Sequence, residues 1–194
     1  MTARPTLVAV LAAGSARRFG GGKLDTTCAG RRVAAWVLDA VARAGLASGV
    51  IVVPADAPAF AREASGWHLL PNPRSETGLG TSVALAARRA RTQGRDILLL
   101  LADMPLIEPM HLCALLAGEG AAATDHAGRA GVPAFVPYDL LDPLARLEGK
   151  SGAGAFLSSL PDLRLVSAPP GTLADVDRPE DLQAVAEALA RRIA

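Results

Sequence analysis

Leu7-Val8-Ala9-Val10-Leu11-Ala12-Ala13-Gly14-Ser15-Ala16-Arg17-Arg18-Phe19-Gly20-Gly21-Gly22-Lys23 is the stretch that decides how this chain is read. Its first five residues form a continuous apolar run, which suits a strand covered on both faces. The residues after it are small, glycine-rich and cationic, which suits a loop at a strand end. Two more apolar runs, Val50-Ile51-Val52-Val53 and Ile97-Leu98-Leu99-Leu100-Leu101, predict two more central strands. Between them the period changes. Val33, Trp36, Val37, Ala40, Val41 and Ala44 recur at offsets of 0, 3, 4, 7, 8 and 11 and end at Gly45, which is one apolar helix face with Trp36 in the core. Helices are also expected over Leu79–Thr92, Pro109–Leu116 and Pro179–Ile193, the last with Leu182, Val185, Ala186, Leu189 and Ile193 inward. Trp67–Leu70 reads as an edge strand. Segment 128–172 is the least regular, with a strand at Val132–Val136, short helices near Tyr138–Arg146 and Gly152–Leu160, and a strand at Arg164–Ser167. Strands alternating with helices predict an α/β protein of three-layer α/β/α, Rossmann-like architecture, with a mostly parallel sheet and helices on both faces.

The 194 residues carry no repeat, linker or low-complexity segment, so a single domain over 1–194 is expected. Apolar residues make up 51% but are broken by Gly, Pro or charge long before the roughly 18–20 residues of a membrane span. Met1–Pro5 lead into the first strand without the apolar stretch of a secretory signal, so a cytoplasmic location with no membrane partner is expected. Lys and Arg number 20 against 19 acidic residues, aromatics are 4%, and no Lys/Arg block occurs, which argues against a nucleic-acid groove. Any anion recognition must be local. Cys28 and Cys113 lack CxxC or Cys/His spacing and read as ordinary thiols. His68, His111 and His126 show no spacing with acids or serines that makes a triad or a zinc site, so core or surface roles are expected for all three.

In open α/β sheets ligands bind beyond the carboxyl ends of strands, which is where Leu11 to Lys23 begins. Glycines let backbone N–H groups approach a phosphate, and fixed cations neutralise its oxygens, so the composition asks for a polyphosphate. A Walker A loop ending at Gly22-Lys23 needs Gly at 17 and Ser or Thr at 24, where Arg17 and Leu24 stand. A dinucleotide fingerprint from Gly14 needs Gly at 16 and 19, where Ala16 and Phe19 stand. Both motifs are excluded; a glycine turn with solvated arginines is the competing reading.

Leu-Ala-Ala-Gly followed by Arg18, Gly20 and Lys23 resembles the LAAGxSxRMGxxK pattern of the molybdenum cofactor nucleotidyltransferases, with Ala13 pointing to the cytidylyltransferase branch. Ala16 replaces the pattern's Ser and Phe19 its Met, with Ser15 offering a neighbouring hydroxyl. The resemblance implies a fold of the nucleotide-diphospho-sugar transferase type. It also implies Leu11, Ala12, Ala13, Gly14, Arg18 and Lys23 as nucleotide-binding residues, with Arg18 and Lys23 also catalytic.

Asp103 follows the run 97–101 and precedes Met104-Pro105, so it shares the sheet edge of the glycine loop if the two strands are parallel neighbours. A carboxylate there can hold Mg²⁺, a hard cation that takes one or two carboxylates plus phosphate and water oxygens; it also suits a turn. Ala102-Asp103-Met104-Pro105 is similar to the family's Gly-Asp-Met-Pro, which implies a catalytic, metal-binding Asp103. Asp175-Val176-Asp177-Arg178-Pro179-Glu180-Asp181 is similar to the family's Asp-x-Asp-x-Pro-Glu-Asp-Leu segment, which adds Asp175 and Asp177 as metal candidates. Asp177, three residues before Glu180 with Pro179 between, equally reads as a helix cap.

Pro71-Asn72-Pro73 and Gly78-Leu79-Gly80-Thr81-Ser82 resemble the family's nucleoside-side region, so Asn72, Gly78, Thr81 and Ser82 are candidate base or ribose contacts, or a turn and a cap. Leu147–Gly154 aligns with a cytidylyltransferase pattern LxGDxGAR, with Lys150 in place of Asp and Gly154 in place of Arg, and Gly131-Val132-Pro133 lacks a polar central residue. The acceptor side is expected in 128–172. The resemblance implies transfer of CMP, with GTP the less favoured donor than CTP, to the phosphate of a molybdopterin-type acceptor, with a molybdoenzyme or its chaperone as a further partner. A sugar phosphate or other small phosphorylated acceptor is the alternative, and a non-catalytic cofactor chaperone the reading from another class.

Overall fold

The computed structural model describes residues 4–14 and 18–193, apart from the side chain of Ile193; Ser15 and the inward placement of Ile193 therefore lie outside what is described. A seven-stranded sheet carries the structure: β1 (Thr6–Leu11), β4 (Val50–Val53), β5 (His68–Pro71), β6 (Asp96–Leu101), β7 (Ala122–Asp125), β8 (Ala130–Val136) and β9 (Arg164–Val166), in the order β5-β4-β1-β6-β8-β7-β9. β2 (Thr27–Cys28) and β3 (Arg31–Arg32) form a separate small hairpin. The neighbours β5, β4, β1 and β6 are parallel; β8 runs antiparallel to β6 and β7, and β9 is parallel to β7. The mostly parallel sheet read from the sequence is present, with one reversed strand that the apolar pattern of 132–136 could not announce.

The alternation of a strand sends its side chains to two faces, and here both are buried. Val8, Val10, Ile51, Leu98 and Leu100 pack against α1 (Val33–Arg43), α2 (Ala59–Glu63) and α4 (Pro109–Leu116). Leu7, Ala9, Leu11, Val52 and Leu99 pack on the other side against α3 (Leu79–Thr92), α5 (Leu141–Leu144) and α6 (Ala153–Ser158). Those are the three layers. A smaller cluster joins α7 (Asp181–Ile193), through Val185 and Leu189, to Cys28, Val33, Leu106 and Trp36, whose indole Nε1 donates to the Cys28 carbonyl at 2.9 Å. The thiol pKa of Cys28 is pushed up by burial, so Cys28 packs as an apolar residue.

α7 starts at Asp181, two residues later than Pro179. The Asp181 carboxylate folds back to accept the N–H groups of Asp177 and Arg178 at 2.8 and 2.7 Å, and these bonds hold its pKa below the ordinary aspartate value. α2, which no periodicity announced, is held by Asp25, whose two oxygens accept from Ala59 N at 2.8 Å and Phe60 N at 2.7 Å.

Candidate active site

Parallel neighbours end at one edge. Leu11 pairs with Val52 and with Leu101, so Ala12–Gly14, Pro54 and Asp103 leave the sheet side by side, with Asn72 beyond β5. Gly20, Gly21 and Gly22 all take positive φ, a backbone that only glycine adopts freely, and this run delivers Lys23 back under β1. Lys23 is buried, and its Nζ donates to Asp103 Oδ2 at 2.7 Å and lies 3.6 Å from Asp177 Oδ1. Arg18 Nη1 holds the other oxygen of Asp177 at 2.8 Å. Four of the expected residues, from three distant segments, thus form one chain of alternating charge: Arg18, Asp177, Lys23, Asp103.

The chain is positioned by backbone as well as by charge. Val176 N donates to the Asp103 carbonyl at 2.9 Å, so the 175–177 stretch lies against the end of β6. Asp177 is therefore not the cap of α7: its carboxylate is taken by Arg18 and Lys23, while Asp181 serves the N–H groups at that turn. Asp175 and Asp177 part company. The carboxyl of Asp175 lines a neighbouring cavity, and although the residue is exposed, desolvation of that carboxyl, with the like charges of Asp177 and Asp103 adding to it, raises its pKa above the ordinary value.

A cavity of about 180 Å³ lined by Leu11, Ala12, Ala13, Gly14, Lys23 and Asp103 occupies the angle between the glycine loop and Asp103. Beside it, a second of about 270 Å³ is lined by Gly14, Glu76, Gly78, Leu79, Ser82 and Lys150. Asn72, Thr81 and Ser82 come together as read from the sequence, but Asn72 is buried and its groups are engaged internally: Nδ2 donates to Thr81 Oγ1 at 3.0 Å and to Ser82 Oγ at 2.9 Å, and Oδ1 accepts from Arg74 N. Thr81 in turn donates to the Gly78 carbonyl at 2.9 Å. Asn72 and Thr81 therefore brace the start of α3, and Ser82 faces the cavity.

Gly78 sits at φ 133°, and a Cβ there would collide with the backbone of Gly149 and Lys150. That close approach, fixed by Gly80 N donating to the Gly149 carbonyl at 3.0 Å, docks loop 148–151 on the start of α3. Lys150 is thereby carried to the cavity that Gly14, Gly78 and Ser82 also line. The sequence reading also missed His126 and Arg129, which line the cavity that holds Asp175. Their turn was legible only as Asp125 followed three residues later by Gly128, a common turn pattern.

A family model described as MobA-like NTP transferase domain matches residues 8–164, from β1 to the start of β9. The chain belongs to the MobA-like NTP transferase family. Purine catabolism protein PucB of Bacillus subtilis (strain 168) is 30% identical over 204 residues, covering 95% of this chain and 98% of its own. Phosphoenolpyruvate guanylyltransferase of Nocardia farcinica (strain IFM 10152) is 34% identical over 151 residues, covering 74% of this chain and 66% of its own. Among solved structures, Rv0371c of Mycobacterium tuberculosis H37Rv matches with a TM-score of 0.83 at 25% identity, covering 96% of this chain and all 100% of that one. The same protein has also been solved as a complex with manganese, which matches at a TM-score of 0.74 and 21% identity over 95% of this chain and 98% of that one. Membership of the MobA-like NTP transferases makes this a nucleotidyltransferase that uses a nucleoside triphosphate. Among its described residues, no helix is long and apolar enough to cross a membrane.

Proposed function

We propose that the chain moves CMP from CTP, in preference to GMP from GTP, to the phosphate of a molybdopterin-type acceptor in the cytoplasm, releasing pyrophosphate with the help of Mg²⁺. The observation that carries this reading is the Arg18–Asp177–Lys23–Asp103 chain at the mouth of the glycine-loop cavity. Backbone groups of Leu11–Gly14 face the triphosphate, Lys23 and Arg18 balance the charge that grows on the departing pyrophosphate, and the Ser82 side of the neighbouring cavity receives the nucleoside. The acceptor phosphate is already anionic, so no side chain has to remove a proton, and the protein acts by positioning and charge neutralisation.

The donor set fits a magnesium ion. Asp103 and Asp177 offer only oxygen, both approach one ammonium, and side-chain exposures of 23% and 41% leave them accessible, Asp103 to the cavity that it lines. A hard cation of this kind takes one or two carboxylates and completes its shell from phosphate and water. When bound, the ion would neutralise phosphate oxygens in the transition state. Asp175 would be the outer member of this set. Asp103→Ala should lose about 100-fold or more in turnover, by comparison with removal of one electrostatic stabiliser. Pyrophosphate release at the wild-type rate from that variant would overturn the assignment.

Guanylyl transfer to a small phosphorylated acid is the second reading, favoured by the similarity to the Nocardia phosphoenolpyruvate guanylyltransferase over 74% of the chain. Comparing the two acceptors with each triphosphate separates the readings.

A further inference from the structure

Helix α7 holds a segment of the charge chain at each of its ends. Asp181, Val185, Leu189 and Arg192 stand at offsets of 0, 4, 8 and 11, which places all four on one stripe of the helix. The two apolar members fasten its middle, buried in one cluster with Trp36, Leu106 and Val176. The two polar members lie at opposite ends of the same stripe, roughly 16 Å apart along the axis at 1.5 Å per residue. Neither Asp181 nor Arg192 is among the described residues that line the cavities beside the glycine loop.

At the first end, Asp181 Oδ2 accepts from Asp177 N at 2.8 Å and from Arg178 N at 2.7 Å. Val176 N already donates to the Asp103 carbonyl, so three successive N–H groups are fixed. The Asp177 carboxylate between them has to meet two cations at once. One oxygen takes Arg18 Nη1 at 2.8 Å, and the other lies 3.6 Å from Lys23 Nζ. Because the two oxygens serve different partners, a shift of the backbone at 177 weakens one contact or the other. The charge of Asp181 makes its two bonds to these N–H groups stronger than neutral ones.

At the other end, Arg192 reaches the segment that joins Asp103 to α4. Its Nη1 donates to the Leu106 carbonyl at 2.7 Å, and its Nη2 lies 3.1 Å from Glu108 Oε1. That segment is therefore held at the Asp103 carbonyl by Val176, and at Leu106 and Glu108 by Arg192. The Leu106 side chain is itself buried in the cluster that contains Val185 and Leu189. A cation in the last turn also suits the negative end of the helix dipole. One rigid helix thus fixes the backbone on which Asp177 stands and the backbone that leads away from Asp103.

We propose that α7 is a brace that sets the spacing of the two site carboxylates, with Asp181 positioning Asp177 and Arg192 positioning the segment that follows Asp103. The inference rests on the nucleotidyl-transfer reading above and deepens it. Lys23 lies 2.7 Å from one carboxylate and 3.6 Å from the other, so the distance between them decides whether one ammonium serves both. A misplacement of about 1 Å at a reacting centre can cost about 100-fold in rate, so such a brace acts on turnover without touching substrate.

The test is a double-mutant cycle on the full chain, read both by pyrophosphate release and by melting. Release is measured with CTP and with GTP, using molybdopterin and, separately, phosphoenolpyruvate as acceptor, and the pair that the wild type uses best serves for every variant. Asp181→Ala should lower turnover about 10-fold, with the KM for the triphosphate moved less than about 2-fold. In an Asp177→Asn background the same substitution should lower turnover less than about 2-fold, because the charge that Asp181 positions is already gone. Melting should lack this dependence, since loss of the bonds at the helix start lowers Tm by about 2–4 °C in both backgrounds. Asp181→Asn, which keeps an oxygen acceptor but no charge, carries the same comparison if the alanine protein does not fold. Arg192→Met keeps the aliphatic stem and should lower turnover about 3-fold or more, again with the triphosphate KM moved less than about 2-fold. An equal fold-loss from Asp181→Ala in both backgrounds makes Asp181 a helix cap alone and overturns the inference. Wild-type turnover in Arg192→Met overturns it as well, and either result leaves the proposed function standing. No release by the wild type with any donor and acceptor brings down the proposed function, and this inference with it.

Discussion

Replacing Lys23 by Met separates what the buried ammonium does for the fold from what it does for the reaction. Its side chain is only 9% exposed and lies 2.7 Å from Asp103 and 3.6 Å from Asp177, so the variant leaves Asp103 without a cation and Asp177 with Arg18 alone. Removing one partner of a fully buried pair costs about 3–5 kcal/mol and of an exposed pair about 0–1, and the carboxylates here, at 23% and 41% exposure, lie between these limits. A loss of about 2 kcal/mol follows, which for a chain of this size lowers Tm by about 4–8 °C. Turnover should fall about 100- to 1000-fold through loss of a fixed charge on the leaving group. Adding Asp103→Asn to Lys23→Met removes the one carboxylate left without a cation, since Asp177 keeps Arg18, so the double variant should recover at least half of the lost stability and none of the turnover. Melting curves and pyrophosphate release on the same preparations give both numbers. A Lys23→Met protein that melts with the wild type, or a double variant less stable than the single one, would refute the account of this charge chain.

Two further perturbations test the surroundings. Gly78→Ala forces a side chain into the backbone of Gly149 and Lys150 at a φ that alanine rarely adopts, so stability should drop by about 2 kcal/mol or more and the KM for the triphosphate should rise as loop 148–151 is pushed off α3; wild-type melting would contradict that docking. His111 is buried, and burial is the main cause that holds its imidazole pKa below the ordinary 6.5. The unfolded chain then takes up the proton first, so the stability that His111 contributes is intact above about pH 6.5 and is lost as pH falls toward the folded value. Urea unfolding at pH 7.5 and 5.5 should show a larger loss for the wild type than for His111→Gln, and equal losses would exclude this cause.

Much of this architecture could be read from the chain because buried parallel strands advertise themselves. Leu7–Leu11, Val50–Val53 and Ile97–Leu101 are apolar on both faces for the reason that helices cover both faces, and the α1 periodicity runs through three turns. What stayed hidden depends on partners distant in sequence. β7 is four residues, two of them alanine, and becomes a strand only between β8 and β9; the reversed direction of β8 is a property of pairing and not of its residues. The five residues of α2 depend on Asp25, which lies 34 residues before Ala59.

The site divides in the same way. Arg18, Lys23 and Asp103 were legible as cations and an acid at strand ends, and parallel pairing brings them together. Asp177 had two readings, and only the position of Asp181 distinguishes them: with Asp181 serving the turn, Asp177 is free to meet Arg18 and Lys23. The internal bonding of Asn72 follows from the approach of the end of β5 to the start of α3, which composition and spacing do not encode.

The central claim is that the chain catalyses nucleotidyl transfer to a phosphorylated acceptor. Its most direct test is pyrophosphate release measured with CTP or GTP, with and without molybdopterin, in the presence of Mg²⁺. Release that requires the acceptor, is faster with CTP than with GTP and disappears in Asp103→Ala is the predicted result. Absence of release under every condition, or release at the same rate without an acceptor, would contradict it.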